Sequence, residues 1–209
     1  MNSKRPAKAD VGIIMGSDSD FSAIEATVKM LHYFGIRCDT RVISAHRAPE
    51  KASEYAAMAV RRGIKVIIAA AGGAAHLAGV LASYTTLPVI GIPLKGGALD
   101  GLDSLLATVQ MPAGVPVATM AIGNSGPVNA AILAVKILAL QRPELVKRLK
   151  AYSKALKKKV EKLQVLNHPP GHSLHMKQTQ ILLATNFHGH QEGYYLLQRI
   201  HLNGLKMEK

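Results

Sequence analysis

Aromatic residues make up 4% of the 209 positions, and the chain has no tryptophan. Flavin sites and single-stranded nucleic-acid surfaces are built on stacking aromatics, so both readings start poorly supplied. The chain has one cysteine, Cys38, which excludes an internal disulfide framework and fits a reducing compartment; the expected location is cytoplasmic. Long apolar runs are also missing. Lys136 interrupts the late run and His76 ends the small-residue one, so no membrane span is expected. The opening MNSKRPAKAD carries charge without an apolar stretch, which predicts no secretory leader. There is no Gly-x-Ser-x-Gly elbow, no P-loop and no dinucleotide fingerprint. No Cys or His pair before the tail has metal-ligand spacing, and the tail histidines are scattered, so no metal site is expected.

What is present is a basic, glycine-rich and strongly apolar chain: net charge +13, 18 glycines, 48% hydrophobic residues. The charge is unevenly placed. Val11 to Gln141 holds ten Lys/Arg against eight Asp/Glu, whereas Arg142 to Leu163 holds nine against two. A near-neutral body with one basic terminal helix reads as a solvated helix face rather than a nucleic-acid footprint, and Tyr152 is the only aromatic residue among those cations.

The body repeats one pattern, an apolar run, a Gly/Ser/Pro-rich turn and an amphipathic segment. Val11–Met15, Arg41–Ile43, Lys65–Ala69, Pro88–Ile92 and Val117–Ile122 are predicted strands. Helices are predicted over Phe21–Phe34, Pro49–Arg62, from His76 to about Ser83, Leu102–Gln110, Val128–Leu140 and Glu144–Leu163. On the first of these, Phe21, Ile24, Val28 and Leu31 share a face. Pro49 suits a first helical turn, where its missing N–H costs nothing. Five consecutive strand–helix units predict a parallel sheet covered on both faces, with continuously apolar strands. The expected fold is α/β: a flavodoxin-like three-layer α/β/α sandwich, sheet order 2-1-3-4-5, plus a C-terminal helix. The expected organisation is a flexible N-terminus over 1–10, a catalytic domain over 11–163 and an appendage over 164–209, where NHPPGHSLHMKQTQ has no firm period.

In such sheets, ligands bind beyond the C-terminal strand ends, where the turns lie. Gly16-Ser17-Asp18-Ser19-Asp20 opens a helix. Ser17 and Ser19 offer hydroxyls, the helix start offers free N–H groups for a phosphate, and Asp20 can accept from sugar hydroxyls. The bland alternative is simple helix capping. In VISAHRAPE, Arg47 can grip a phosphate bidentately, Ser44 can add a hydrogen bond, and His46 is the one side chain there suited to proton transfer near neutrality. In AAGGAAH, the glycines admit close approach of a planar ligand, and His76 enters the next helix. The loop around Asp100 and Asp103 is long enough to act as a lid.

Taken jointly, MGSDSD, VISAHRAP, IIAAAGGAAHLAGVLA, LDGLDSLLATVQMPAGVPVAT and AIGNSGPVNAAILAVKIL resemble the 5-(carboxyamino)imidazole ribonucleotide mutase family of purine biosynthesis, also known as the phosphoribosylaminoimidazole carboxylase catalytic subunit. The resemblance covers about Val11 to Leu163. It implies a nucleotide substrate, no cofactor, and a homo-octamer with active sites at subunit contacts. It implies substrate binding by Ser17, Asp20 and Arg47, and proton transfer by His46. The GGAAH loop looks like the bacterial mutase type, in which Gly73, Ala74 and His76 line the base and carbon dioxide pocket. Ala78 departs from the proline common at that place in the family. The nearest rival reading is a direct carboxylase of aminoimidazole ribonucleotide; a flavin- or nucleic-acid-binding module is the rival from another class.

Overall fold

Strand β1 (Val11–Met15) is buried along its whole length and sits between β2 (Cys38–Val42) and β3 (Val66–Ala71). The computed structural model describes residues 8–166. The sheet continues through β4 (Val89–Pro93) to β5 (Ala118–Thr119), all parallel, in the order β2-β1-β3-β4-β5. The crossovers are α1 (Phe21–Tyr33), α2 (Pro49–Met58), α3 (Leu77–Ser83) and α4 (Leu102–Val109), with α5 (Ser125–Ala139) and α6 (Pro143–Leu166) following β5. Contacts divide the chain after Leu156. The first unit holds the sheet, α1 to α5 and most of α6. Of the second, only the end of α6 is described, so the predicted appendage lies almost wholly outside the described residues, as do residues 1–7.

Alternation along the strands builds two cores. Val11, Ile13 and Met15 of β1, with Val66, Ile68 and Ala70 of β3, face Ile24, Leu31 and Phe34 and the alanines of α5. Ile14, Ile67 and Ala69 face the other way, onto Ala52, Tyr55 and Ala56 of α2 and Leu77 and Leu81 of α3. Each strand residue thus has an apolar partner layer, which is why β1, β3 and β4 read as continuous apolar runs. The few buried polar side chains are satisfied within their neighbourhoods. Thr27 Oγ1 donates to the Pro127 carbonyl at 2.9 Å, and Ser104 Oγ lies 2.7 Å from the carbonyl oxygens of Leu94 and Gly101.

The edge strands depart from the sequence-based expectation. β2 runs from Cys38 to Val42, earlier than the predicted Arg41–Ile43, and its outer residues Thr40, Arg41 and Val42 are exposed. It pairs only with β1, so half its surface meets solvent and no apolar run is required. β5 keeps just two residues of the predicted Val117–Ile122 for the same reason. Helix α2 ends at Met58, before the predicted Arg62. Phe21, predicted on the buried face of α1, is exposed; the buried stripe is Ile24, Thr27 and Leu31.

Helix α6 is anchored by its first half. Arg148 Nη1 donates to the Phe34 carbonyl at 2.7 Å, in space left free by Gly35, and the Tyr152 ring meets the Tyr33 and Phe34 rings edge-on. Among the described residues, no helix is long and apolar enough to cross a membrane.

Candidate active site

The C-terminal ends of β1, β2 and β3 lie side by side, and the three loops that leave them share one cavity of about 300 Å³. Each loop has a local reason for its shape. The first begins where Gly16 N–H bonds to the Ala70 carbonyl at 3.2 Å, on the neighbouring strand. The chain then closes on itself: Asp20 Oδ2 accepts from Ser17 N–H at 3.0 Å, and Asp18 Oδ1 accepts from Ser19 N–H at 2.9 Å. These carboxylates satisfy free donors of a short 3-10 turn, Asp18–Asp20, that leads into α1, so capping occurs there, while α1 itself has no side-chain cap. Capping does not exhaust the loop. Ser17 and Asp20 both line the cavity, while Ser19 is exposed outside its lining and bonds Ser17 Oγ at 2.9 Å. Burial pushes the Asp20 carboxyl above its ordinary value, against the N–H donors of Ser17 and Gly16, which pull it down.

The second loop leaves the sheet after Ile43, whose N–H bonds to the Met15 carbonyl at 2.9 Å. Ser44 turns the chain: its Oγ accepts from Arg47 N–H at 3.3 Å, and its carbonyl accepts from Ala48 N–H at 2.9 Å. The Ser44 hydroxyl proton stays available for a ligand. Pro49 then starts α2 in its first turn, as predicted. Ser44, His46 and Arg47 all line the cavity. Arg47 is exposed and makes no ion pair among the described residues, so its guanidinium is free for an anion.

The third loop follows β3. Gly73 has a φ of +58°, a left-handed backbone that glycine adopts without strain, and a side chain there would meet nothing within 4 Å. Gly72 and Ala74 line the cavity, whereas Gly73 and His76 stand outside its lining. His76 stands at the N-terminal boundary of α3 without a side-chain capping bond, and it reaches the site through His46. His46 Nε2 and His76 Nδ1 are 2.9 Å apart, with the ring planes at 82°. A hydrogen bond between two imidazole nitrogens needs one donor and one acceptor, so the bond survives with the pair neutral or carrying one extra proton, and breaks with two. This pairing was not read from the sequence; it joins two loops that the chain separates by 30 residues.

The loop after β4 begins beside the third one, with Leu94 N–H bonded to the Ala71 carbonyl at 2.9 Å. It is closed by a Lys95–Asp100 ion pair at 3.1 Å, and Asp103 caps Ser104 N–H at 2.8 Å. Its residues are absent from the cavity lining, so neither Asp100 nor Asp103 is brought to the site here.

The cavity thus gathers, among the described residues, an unpaired guanidinium, hydroxyls and backbone donors suited to an anion, a carboxylate able to accept hydrogen bonds, and one ring of a hydrogen-bonded imidazole pair. Among the described residues, no cluster of three or more His, Cys, Asp or Glu side chains could hold a metal ion.

Comparison with known proteins follows the same lines. The chain is 55% identical over 161 residues to the N5-carboxyaminoimidazole ribonucleotide mutase of Pyrococcus horikoshii, covering 77% of this chain and 88% of that protein. It is 52% identical over 152 residues to the phosphoribosylaminoimidazole carboxylase of Candida glabrata, covering 73% of this chain and 26% of that protein. Among solved structures, Treponema denticola PurE superposes with a TM-score of 0.68 at 27% identity, over 76% of this chain and 98% of that one. The family described as AIR carboxylase matches residues 10–159, and the chain belongs to it.

Proposed function

We propose that the protein is a mutase of purine biosynthesis. It moves a carboxylate from the exocyclic nitrogen of 5-(carboxyamino)imidazole ribonucleotide to ring carbon 4, giving 5-amino-1-(5-phosphoribosyl)imidazole-4-carboxylate. The observation that supports it most is the meeting of Ser17, Asp20, His46 and Arg47 on one cavity, in a chain 55% identical to a protein named for that reaction.

In this reading the phosphate docks against Arg47, Ser17 and the start of the first helix, with Ser19 and Ser44 adding hydroxyls. Asp20 accepts from the ribose. The base lies against Gly72, Gly73 and Ala74, where small side chains leave room for a flat ring. The carbamate nitrogen takes a proton from His46 as its bond to the carboxyl carbon breaks, giving aminoimidazole ribonucleotide and carbon dioxide. Carbon 4 attacks the trapped carbon dioxide, and His46 removes the carbon 4 proton. The proton given at nitrogen equals the proton taken at carbon, so the enzyme ends as it began. His76 supports this cycle, because the imidazole pair can carry one extra proton without losing its hydrogen bond. Trapping avoids recapture of a gas from solution, an orientation effect of large size in general. No electrons and no phosphoryl group move, so the chemistry calls for no cofactor.

The direct carboxylase is the second reading, favoured by the 52% identity to the Candida carboxylase. Supplying the carbamate in one assay and aminoimidazole ribonucleotide with bicarbonate in another separates the two. Rapid turnover of the carbamate alone is the expected result, and turnover only with bicarbonate would replace the mutase reading.

We further assign the catalytic domain to residues 11–163, a cytoplasmic location, and a homo-octamer whose sites lie at subunit contacts. Leu99, Leu102, Leu106 and Val109 support the assembly: they are exposed at helical spacing in and just before α4, a stripe a lone subunit would leave in water. Measurement of the particle mass in solution tests it, with eight chains expected.

A further inference from the structure

Between β2 and α2 lies a group of interlocked side chains that the chemistry above does not use. Asp39 Oδ2 accepts from the Tyr55 hydroxyl at 3.2 Å and pairs with Arg62; Arg41 Nε adds a contact of 3.0 Å to the same oxygen. The Arg62 guanidinium lies over the Tyr55 ring, 4.2 Å from its centroid. Tyr55 is 4% exposed, and its hydroxyl crosses Gly12 of β1, the register partner of Asp39. A side chain on Gly12 would stand 2.4 Å from that hydroxyl, so Gly12 makes the berth. Burial, then the Asp39 charge, push the phenol well above its ordinary value, which keeps it a donor.

The position of this group in the chain gives it meaning. Asp39 stands on the strand that enters the 43–48 loop, and Tyr55 on the helix that leaves it. In sequence the two flank Ser44, His46 and Arg47; in the sheet Asp39 pairs with Gly12 near the start of β1, so the network braces the base of the strand and helix that carry the loop. β2 is an edge strand held by one ladder, and beyond Ile43 no ladder holds the loop. Among the described residues, the Asp39 network supplies the only side-chain hydrogen bonds between β2 and the α2 segment. The larger cavity on this side, about 540 Å³, is walled by Arg41, Tyr55 and Arg62. Those groups are already engaged with one another, so it reads as the back of the network and not as a second ligand site.

We propose that Asp39, Tyr55 and Arg62 are positioning residues, a clamp across the two stems of the 43–48 loop that holds His46 and Arg47 in register with the loop of Ser17 and Asp20. This rests on the mutase reading. A displacement of about 1 Å in a reacting group can cost up to about 100-fold in rate, so the clamp is expected to matter to chemistry and not only to stability.

The test uses Tyr55→Phe, which removes one oxygen, and Asp39→Asn, which removes the charge that holds Arg62. Steady-state turnover of the carbamate at 25 °C, thermal unfolding and the 15N shifts of the His46 and His76 imidazoles are measured on each full-length variant and the parent. The expected result is a fall in kcat/KM of about tenfold or more, with the far-UV spectrum native and the imidazole shifts altered. Lowered melting with unchanged kcat, KM and imidazole shifts would overturn the clamp, and so would failure of both variants to fold. A parent without mutase activity would count against the mutase reading instead; the imidazole shifts alone would then decide the clamp.

Discussion

His46 and His76 share a hydrogen bond of 2.9 Å across an edge-on pair of rings, joining the loop after β2 to the loop after β3. One ring must donate and the other accept, so the tautomer of one sets that of the other.

Replacing His46 with Asn should lower kcat by about 100- to 10,000-fold, the usual worth of general acid–base catalysis, while the nucleotide still binds. Turnover and binding constants measured on one preparation check this, and near-normal turnover would remove His46 from the proposed role.

His76→Ala should cost less than His46→Asn, because His76 acts through its neighbour. The double variant should be no slower than His46→Asn alone, since groups working as a unit lose their effect together. Fully multiplicative losses would mean that the two rings act separately.

Among the described residues Arg47 has no ionic partner, so its removal strands no charge there. Arg47→Ala should weaken nucleotide binding by roughly 10- to 100-fold, the worth of charge-assisted hydrogen bonds. Melting should stay near that of the parent. An unchanged KM would count against phosphate docking at this residue.

The Asp20 carboxyl is raised by burial. Its ionised form is thus disfavoured by the fold, and ionisation works against stability above the folded value; that cost is relieved as pH falls through it. Substrate binding in the proposed mode runs the other way, since Asp20 would there accept from the ribose as a carboxylate. Affinity should fall with decreasing pH, beginning at a higher pH than an unshifted Asp would give. Asp20→Asn should melt no lower than the parent at neutral pH yet bind nucleotide more weakly, with the acidic limb of the affinity profile gone. Calorimetric titration across pH, beside thermal melts, reads both effects.

Gly73 has a left-handed backbone with open space where a side chain would sit. Gly73→Ala should cost about 1–2 kcal/mol of stability from backbone conformation alone. Its larger effect should be on kcat/KM, because the added methyl enters the space proposed for the base. Equal losses in Gly73→Ala and an alanine variant of the distant Gly114, also left-handed with open space, would show a conformational cost only.

The sheet order and the loops at its ligand edge were legible because β1, β3 and β4 are covered on both faces and carry nothing but apolar or small residues. β2 was misplaced because an edge strand admits Asp39, Thr40 and Arg41, which carry no apolar signal. Phe21 was misread because helical spacing alone does not bury a residue: it opens α1 and stays exposed, while the buried stripe begins at Ile24. Ser17, Asp20, Ser44, His46 and Arg47 stand out in the sequence by their types and their place after strands, and the structure brings all five to one cavity. The His46–His76 bond and the Asp39–Tyr55 link were not found, since each depends on tertiary placement and no local pattern encodes it.

The contrast between β1 and β2 bears on how such a site can change over generations. Almost any alteration in β1 disturbs two neighbouring strands and two packed layers at once. The outer residues of β2 touch fewer neighbours, and Thr40 and Arg41 face solvent. Variation is therefore tolerated at Thr40, on the open edge, and resisted along β1, which leads into Ser17 and Asp20. A change at that open edge leaves the strand beneath the Ser17 loop, and both layers packed on it, undisturbed.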